Sequence, residues 1–316
     1  MITEPRIFYK PFEYQDAFDF YKNQHRAHWL ADEVPLASDL NDWKLKLNES
    51  EKNLIGNILK SFAQTEVHVN DYWSTKVSIW FPKPEIQAMA RVFADFESIH
   101  AEAYARLNEE LGLDDFKAFL EDETSKNKIE RLIEVPGNTI EEQAISLAIF
   151  SAFTEGVNLF SSFAILMSFQ LRNLMKGTGQ IVEWSVRDES LHSKAGCWLF
   201  RTLLQEQPHL NTPELRDKVI EACHLSVKLE FDFIEKAFEM GDIDGLNKEQ
   251  LKAFIKARAN EKMVELGYQA IYNDIDPNLL KQMEWFGHLT SGKTHQDFFA
   301  GRVTSYAKSI ADWDDL

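Results

Sequence analysis

The sequence predicts an all-α protein, a helical bundle built around one large buried core. Three observations carry this. Glycine and proline are scarce, 13 and 9 in 316 residues, which favours long helices over many strands and turns. Apolar residues recur at steps of three and four, and no alternating pattern of any length occurs. The chain is 44% hydrophobic and 12% aromatic, enough for a sizeable core.

The first long helix begins at NESEKNLIG, where Asn48 or Ser50 can cap it and acids fill the first turn. Its apolar face holds Leu54, Ile55, Ile58, Leu59 and Phe62, runs on toward Glu66 and Val69, and stops near Pro82 and Pro84. A second helix spans about Pro84 to Leu111 and ends at Gly112. ETSKNK at 123–128 reads as a loop and VPGN at 135–138 as a turn; Thr139 with Glu142 forms a capping box. A long helix then runs to about Lys176, closed by Gly177 and Gly179. Another runs from about Gln180 to Gln207, and two or three more fill 213–290. Residues 1–300 read as a single domain and 301–316 as a flexible tail.

Composition excludes several functions. The net charge is −17, and an acidic surface repels phosphate backbones, so no nucleic-acid partner is expected. Cys197 and Cys223, with no CxxC, suit a reducing cytoplasm and exclude a disulfide scaffold or a thiolate metal site. The N-terminal MITEPRIFYKPFEY has no apolar run after a basic start, so it is no secretory signal.

Residues 144–169, AISLAIFSAFTEGVNLFSSFAILMSF, hold one ionisable group, Glu155. By length the run could span a bilayer. Its Ser, Thr and Asn residues, the lack of aromatic belts and the mid-run carboxylate favour the centre of a large bundle instead, with no membrane partner. A buried glutamate needs a reason, and the other helices supply it. FESIH and DESLH each place a glutamate and a histidine three apart, Glu97 with His100 and Glu189 with His192. That spacing turns one carboxylate and one imidazole toward the same point on a helix. One such motif means little, since both residue types are common on surfaces. Two copies in aromatic, apolar surroundings are harder to dismiss. A dinuclear site in a four-helix core also needs one inward carboxylate from each of two other helices. Glu155 and Glu66, the latter on the Leu59–Phe62 face of the first helix, complete the set. Four carboxylates and two imidazoles suit iron or manganese better than zinc, and they neutralise two divalent ions.

These motifs resemble the radical-generating small (beta) subunit of class I ribonucleotide reductase, from about residue 12 to the C-terminus. FESIHAEAY is similar to that family's Glu-x-x-His-x-x-x-Tyr, VRDESLH to its Arg-Asp-Glu-x-x-His, and TEGVNLFSSF to the helix of its third glutamate. NQHRAHWLADEV and VTSYAKSIADWDDL resemble its N-terminal tryptophan stretch and its tail. The resemblance implies a ferritin-like homodimer that makes an oxidising equivalent and stores it on Tyr104 or on the metal cluster, for deoxyribonucleotide synthesis. It casts Tyr104 as the radical tyrosine, Asp188 as the acid behind His100, Trp29 as a residue on the radical route and Tyr306 as the tail relay to the large subunit. Phe96, Leu159 and Phe163 would wall off Tyr104, with Ser185 and Asn158 as polar intruders. Each motif would serve one of two metals. Most of the family carries Asp where this chain has Glu66; Glu there accompanies some members with manganese or mixed Mn/Fe centres, so two Fe, two Mn or Mn/Fe are the candidate cofactors. An activating flavoprotein is a further partner the resemblance allows. The alternative is another ferritin-like dinuclear oxidase or desaturase, which would need neither Tyr306 nor the tail.

Overall fold

The computed structural model describes residues 1–113, 115 and 137–290, apart from the side chains at 63, 64, 67 and 68. The loop expected at 123–128, the tail and Tyr306 lie outside the described residues. The helices are α1 (Gln15–Arg26), α2 (Ala37–Leu45), α3 (Glu49–Asp71), α4 (Pro84–Leu111), α5 (Ile140–Leu147), α6 (Phe160–Ser168), α7 (Lys176–Glu206), α8 (Pro213–Ala237), α9 (Lys248–Glu265), and the short α10 (Pro277–Lys281) and α11 (Glu284–Thr290). Among the described residues the only β pairing is an isolated bridge between Ile243 and Leu246. The chain is all-α, as its periodicity predicts. No helix among the described residues is long and apolar enough to cross a membrane.

Local signals set most helix ends. Asn48 caps α3: its Oδ1 accepts from the Glu51 N–H at 2.9 Å, and Glu51 accepts from the Asn48 N–H at 3.0 Å. The Thr139–Glu142 box opens α5, and α4 ends at Gly112, whose φ of 72° suits a residue without Cβ. Beyond Asp71, α3 widens into a π turn at Tyr72–Val77 and closes with Ser78–Trp80, ahead of Pro82.

Two expected boundaries are corrected. The single helix predicted up to Lys176 is broken in the middle. After α5 the chain makes a π turn at Ala148–Thr154, in which Glu155 N–H reaches back five residues to Phe150 O at 3.0 Å. The turn lies where α7 comes closest, and a Cβ at Gly196 would collide with Ser151. The next helix begins at Lys176, not Gln180, with Gly177 and Gly179 inside it. The break falls at Asn173 and Met175, both in the left-handed region. Its cause is distant in sequence. Buried Asp42 on α2 accepts from Met175 N–H at 3.0 Å, and buried Asp39 accepts from Gly177 and Thr178 N–H at 2.9 and 2.6 Å. Carboxylates at a helix N-terminus satisfy its free N–H groups and complement its dipole.

Helices α3, α4 and α7 and the α5–α6 segment surround the core. α3 packs along α4, α1 covers the other side of α4, and α7 lies against the 148–154 turn. Asn70, one turn past Glu66, donates to Ala94 O at 2.5 Å and to Ser98 Oγ at 2.9 Å, which fixes the rotation of α3 on α4.

Candidate metal centre

The six residues expected to ligate metals converge. Glu66, Glu97, His100, Glu155, Glu189 and His192 are all buried, none more than 1% exposed. They form two sets, Glu66–Glu97–His100–Glu189 and Glu97–Glu155–Glu189–His192. Within each set the ligand atoms lie within 4.8 Å of one another. Glu97 and Glu189 belong to both. Each set holds one motif whole, Glu97 with His100 or Glu189 with His192, and adds the other motif's glutamate. His192 Nδ1 stands 2.7 Å from Glu97 Oε1, and His100 Nδ1 stands 3.1 Å from Glu97 Oε2 and 3.2 Å from Glu189 Oε1.

The polar atoms fit a pair of cations. Glu66 Oε2, Glu155 Oε2 and Glu189 Oε2 are buried without a hydrogen-bond partner, and Glu97 Oε1, Glu189 Oε1 and His192 Nδ1 meet only one another or His100, without hydrogen-bond geometry. Orphans at this density are costly unless an ion satisfies them. Their proton affinities say the same. Burial, then repulsion from Glu97 and Glu189, pushes Glu66 well above the usual carboxylate range. Burial, then Glu189 and Glu97, does this to Glu155. Burial, then Glu97, raises Glu189 to about 7. Burial acts upward on Glu97 too, but His192 and His100 hold it down to about 2.

A model of the family described as "Ribonucleotide reductase, small chain" matches residues 6–278. The chain belongs to that family. Its relatives include a probable ribonucleoside-diphosphate reductase small subunit of Invertebrate iridescent virus 6, 32% identical across 100% of this chain and 98% of its own. The small subunit of Dictyostelium discoideum is 28% identical over 95% of this chain and 86% of its own. The fold is similar to the ribonucleotide reductase R2 subunit of Clostridium botulinum, with a TM-score of 0.81 at 21% identity over 88% and 89% of the two chains. It is also similar to dimanganese(II)-NrdF of Streptococcus sanguinis, with a TM-score of 0.77 at 20% identity over 89% and 99%.

In this small-chain protein the groups behind the cluster decide how the imidazoles face it. Asp188 is buried; burial opposes its charge, yet Arg187 and His100 hold it below its ordinary range, so it accepts. Its Oδ2 takes both His100 Nε2 at 3.2 Å and Trp29 Nε1–H at 2.8 Å. Its Oδ1 takes the Gln24 amide N–H at 3.0 Å. With its nitrogen there, Gln24 turns Oε1 to His192 Nε2 at 3.1 Å. Both histidines are therefore donors at Nε2, which leaves Nδ1 of each to face the carboxylates. Gln24 escaped the sequence reading, because a glutamine in KNQHR on an amphipathic helix looks like a surface residue. Trp29 lies 5.8 Å from the His100 ring and 5.2 Å from half-buried Trp184.

Tyr104 is fully buried beside Phe62, ring centres 4.8 Å apart, with Phe163 5.1 Å beyond Phe62. Its hydroxyl makes no hydrogen bond. Burial, then the Glu66 carboxylate, drives its pKa well up; Ser185 pulls the other way without reaching hydrogen-bond geometry. One residue of the expected wall and one of the polar intruders make other contacts. Phe96 packs edge-on against His28, and Asn158 accepts from Ser226 on α8.

Proposed function

We infer that this chain is the radical-generating small subunit of a class I ribonucleoside-diphosphate reductase, with Glu66, Glu97, His100, Glu155, Glu189 and His192 holding two metal ions. The observation behind the ligand set is the pair of buried groups that share Glu97 and Glu189. Two Fe head the candidates, with two Mn or Mn/Fe beside them. When bound, such a pair supplies the redox chemistry that oxidises a nearby side chain. The protein's part is to bind, orient and shield. Glu97 and Glu189 span the two positions, and Asp188 and Gln24 aim the imidazoles. Phe62 and Phe163 keep water from Tyr104, whose raised pKa holds its proton until an electron is removed. Trp29 touches the same Asp188 oxygen as His100, so a hydrogen-bonded line leads outward from the cluster. Tyr306 in the tail would carry the oxidising equivalent on to the large subunit, the nucleotide-binding partner. We place the protein in the cytoplasm as a homodimer, with an activating flavoprotein as a further partner.

Low-temperature EPR after metal loading and exposure to oxygen tests the radical site. A tyrosyl doublet is expected, and it should vanish in Tyr104→Phe. A metal-centred signal that persists in Tyr104→Phe overturns the tyrosyl assignment. Deleting residues 301–316 should abolish nucleotide reduction with a large subunit while leaving metal content and EPR signal unchanged. Full turnover by the truncated chain rules out the tail as the docking and relay segment.

A further inference from the structure

Two tryptophans stand behind the cluster, one at each ligand set. Trp29 donates to Asp188, which holds His100. Trp73 serves the other set: its indole N–H donates to Glu155 Oε1 at 2.6 Å, and its ring lies 6.1 Å from the His192 ring. It is completely buried, in the π turn that ends α3. Beyond it stand two more oxidisable rings. Tyr72 meets Trp73 edge-on at 6.1 Å and Trp80 edge-on at 5.9 Å, ordinary spacings for packed aromatic pairs. Tyr72 is buried and Trp80 half-buried. The three rings therefore lead from a dry indole on a cluster carboxylate toward the protein surface. Packing holds the line in place. Tyr72 stacks flat on Phe150, ring centres 3.6 Å apart, and Phe93 meets Trp73 edge-on at 4.9 Å. A Cβ on Gly137 would collide with the Trp80 ring, so that turn lies directly on it.

We propose that Trp73, Tyr72 and Trp80 form a second electron path, apart from the Trp29 route, which refills the centre from the surface when its oxidising equivalent has not passed to Tyr104. In each discharge one electron leaves the Trp73 ring for the centre. The indole keeps its N–H, and Trp80 refills Trp73 through Tyr72. A one-electron reductant of the ascorbate class refills Trp80 and is itself oxidised, its proton going to solvent. The positive charge rests on the two indoles. With metal bound Glu155 is ionised, and its charge beside Trp73 lowers the cost of a cation there. At Tyr72 a positive charge is disfavoured. Lys76 Nζ lies 5.7 Å from that ring. Among the described hydrogen bonds the Tyr72 hydroxyl accepts from Ser146 Oγ at 3.3 Å and donates none, so no acceptor takes its proton. Tyr72 is thus a bridge between the indoles and stores nothing. This rests on the metal reading above.

The test uses the full chain with Tyr104→Phe, which leaves the equivalent unspent. The protein is loaded with iron(II), taken through repeated oxygen exposure without reductant and digested. Mass spectrometry then reads the oxygenated fraction of Trp80. That fraction should stand well above the level in the same chain loaded with zinc(II), which has no redox chemistry. Ascorbate in the buffer should keep Trp80 intact. Adding Trp73→Phe or Tyr72→Leu, with iron content and iron(III) absorption measured in each, should return Trp80 to the zinc level. Tyr72→Leu cuts the bridge but leaves the bond between Trp73 and Glu155. N-bromosuccinimide, which oxidises indoles directly, should attack Trp80 equally in all of these chains without metal. Trp80 oxygenated as strongly in iron-loaded Tyr72→Leu as in its parent overturns the path and leaves Trp80 an exposed ring. A parent whose iron(III) bands form while Trp80 stays at the zinc level overturns it too. A chain that takes up no iron fails earlier, at the metal reading, and takes the path with it.

Discussion

Glu97→Ala should lose both metal ions, whereas Glu155→Ala should keep about one per chain. The difference follows from sharing. Glu97 lies in both ligand sets and Glu155 in one. Removing Glu97 takes one of the two shared carboxylates from both positions at once, and the two ions then repel each other more strongly, because a negative charge between them has gone. Removing Glu155 strips a terminal ligand from the ion paired with His192 and leaves Glu66, Glu97, His100 and Glu189 in place. Metal analysis of protein loaded with excess manganese(II) and then desalted reads the outcome. One ion retained by Glu97→Ala defeats the shared-carboxylate arrangement, and both ions retained by Glu155→Ala remove that residue from the site. Glu155→Ala takes away a carboxyl buried among like charges, so loss of fold does not explain its result, whereas Glu97→Ala also removes the partner of His100 and His192. Thermal melting of the metal-free variants checks this.

Much of that site is written locally. Glu155 stands out because a lone acid in an apolar run has no ordinary reason to be there. The Glu-x-x-His pairs stand out because helical spacing alone brings their side chains together. What escaped reading depends on distant partners. The start of α7 is set by Asp39 and Asp42, more than a hundred residues away, so the nearby glycines gave a false stop. The π turns at 72–77 and 148–154 leave no mark in the periodicity, and the second lies where Ser151 meets Gly196 of α7. Gln24 takes its role from two hydrogen bonds across the bundle, and its residue type is ordinary for a helix surface. Which carboxylates are shared is likewise a matter of where the helices sit, and spacing within each motif assigned them one to a metal.

The metal-free protein should lose stability as pH rises from about 5 to about 8. Glu66, Glu155 and Glu189 have folded pKa values above the ordinary carboxylate range, the last at about 7. His100 is raised as well: burial opposes its charge, but Asp188, Glu189 and Glu97 outweigh it. A group whose folded pKa is raised binds more protons folded than unfolded between its two pKa values. Stability is then full below the unfolded value and falls as pH climbs through the folded one. Each such proton contributes a slope of about 1.4 kcal/mol per pH unit. For a chain of this size that is about 2 °C in Tm per kcal/mol. The ordinary exposed carboxylates are already ionised throughout the window and add little slope. Metal should reverse the trend, since the ions displace the same protons and bind more tightly as pH rises. Melting curves across the window, with and without manganese(II), make the measurement. In Glu66→Gln/Glu155→Gln the metal-free slope should flatten, because neither position can ionise. A wild-type slope that is flat or rising without metal would mean that the clustered carboxylates are not held protonated, and the charge balance argued for the empty cluster would fail.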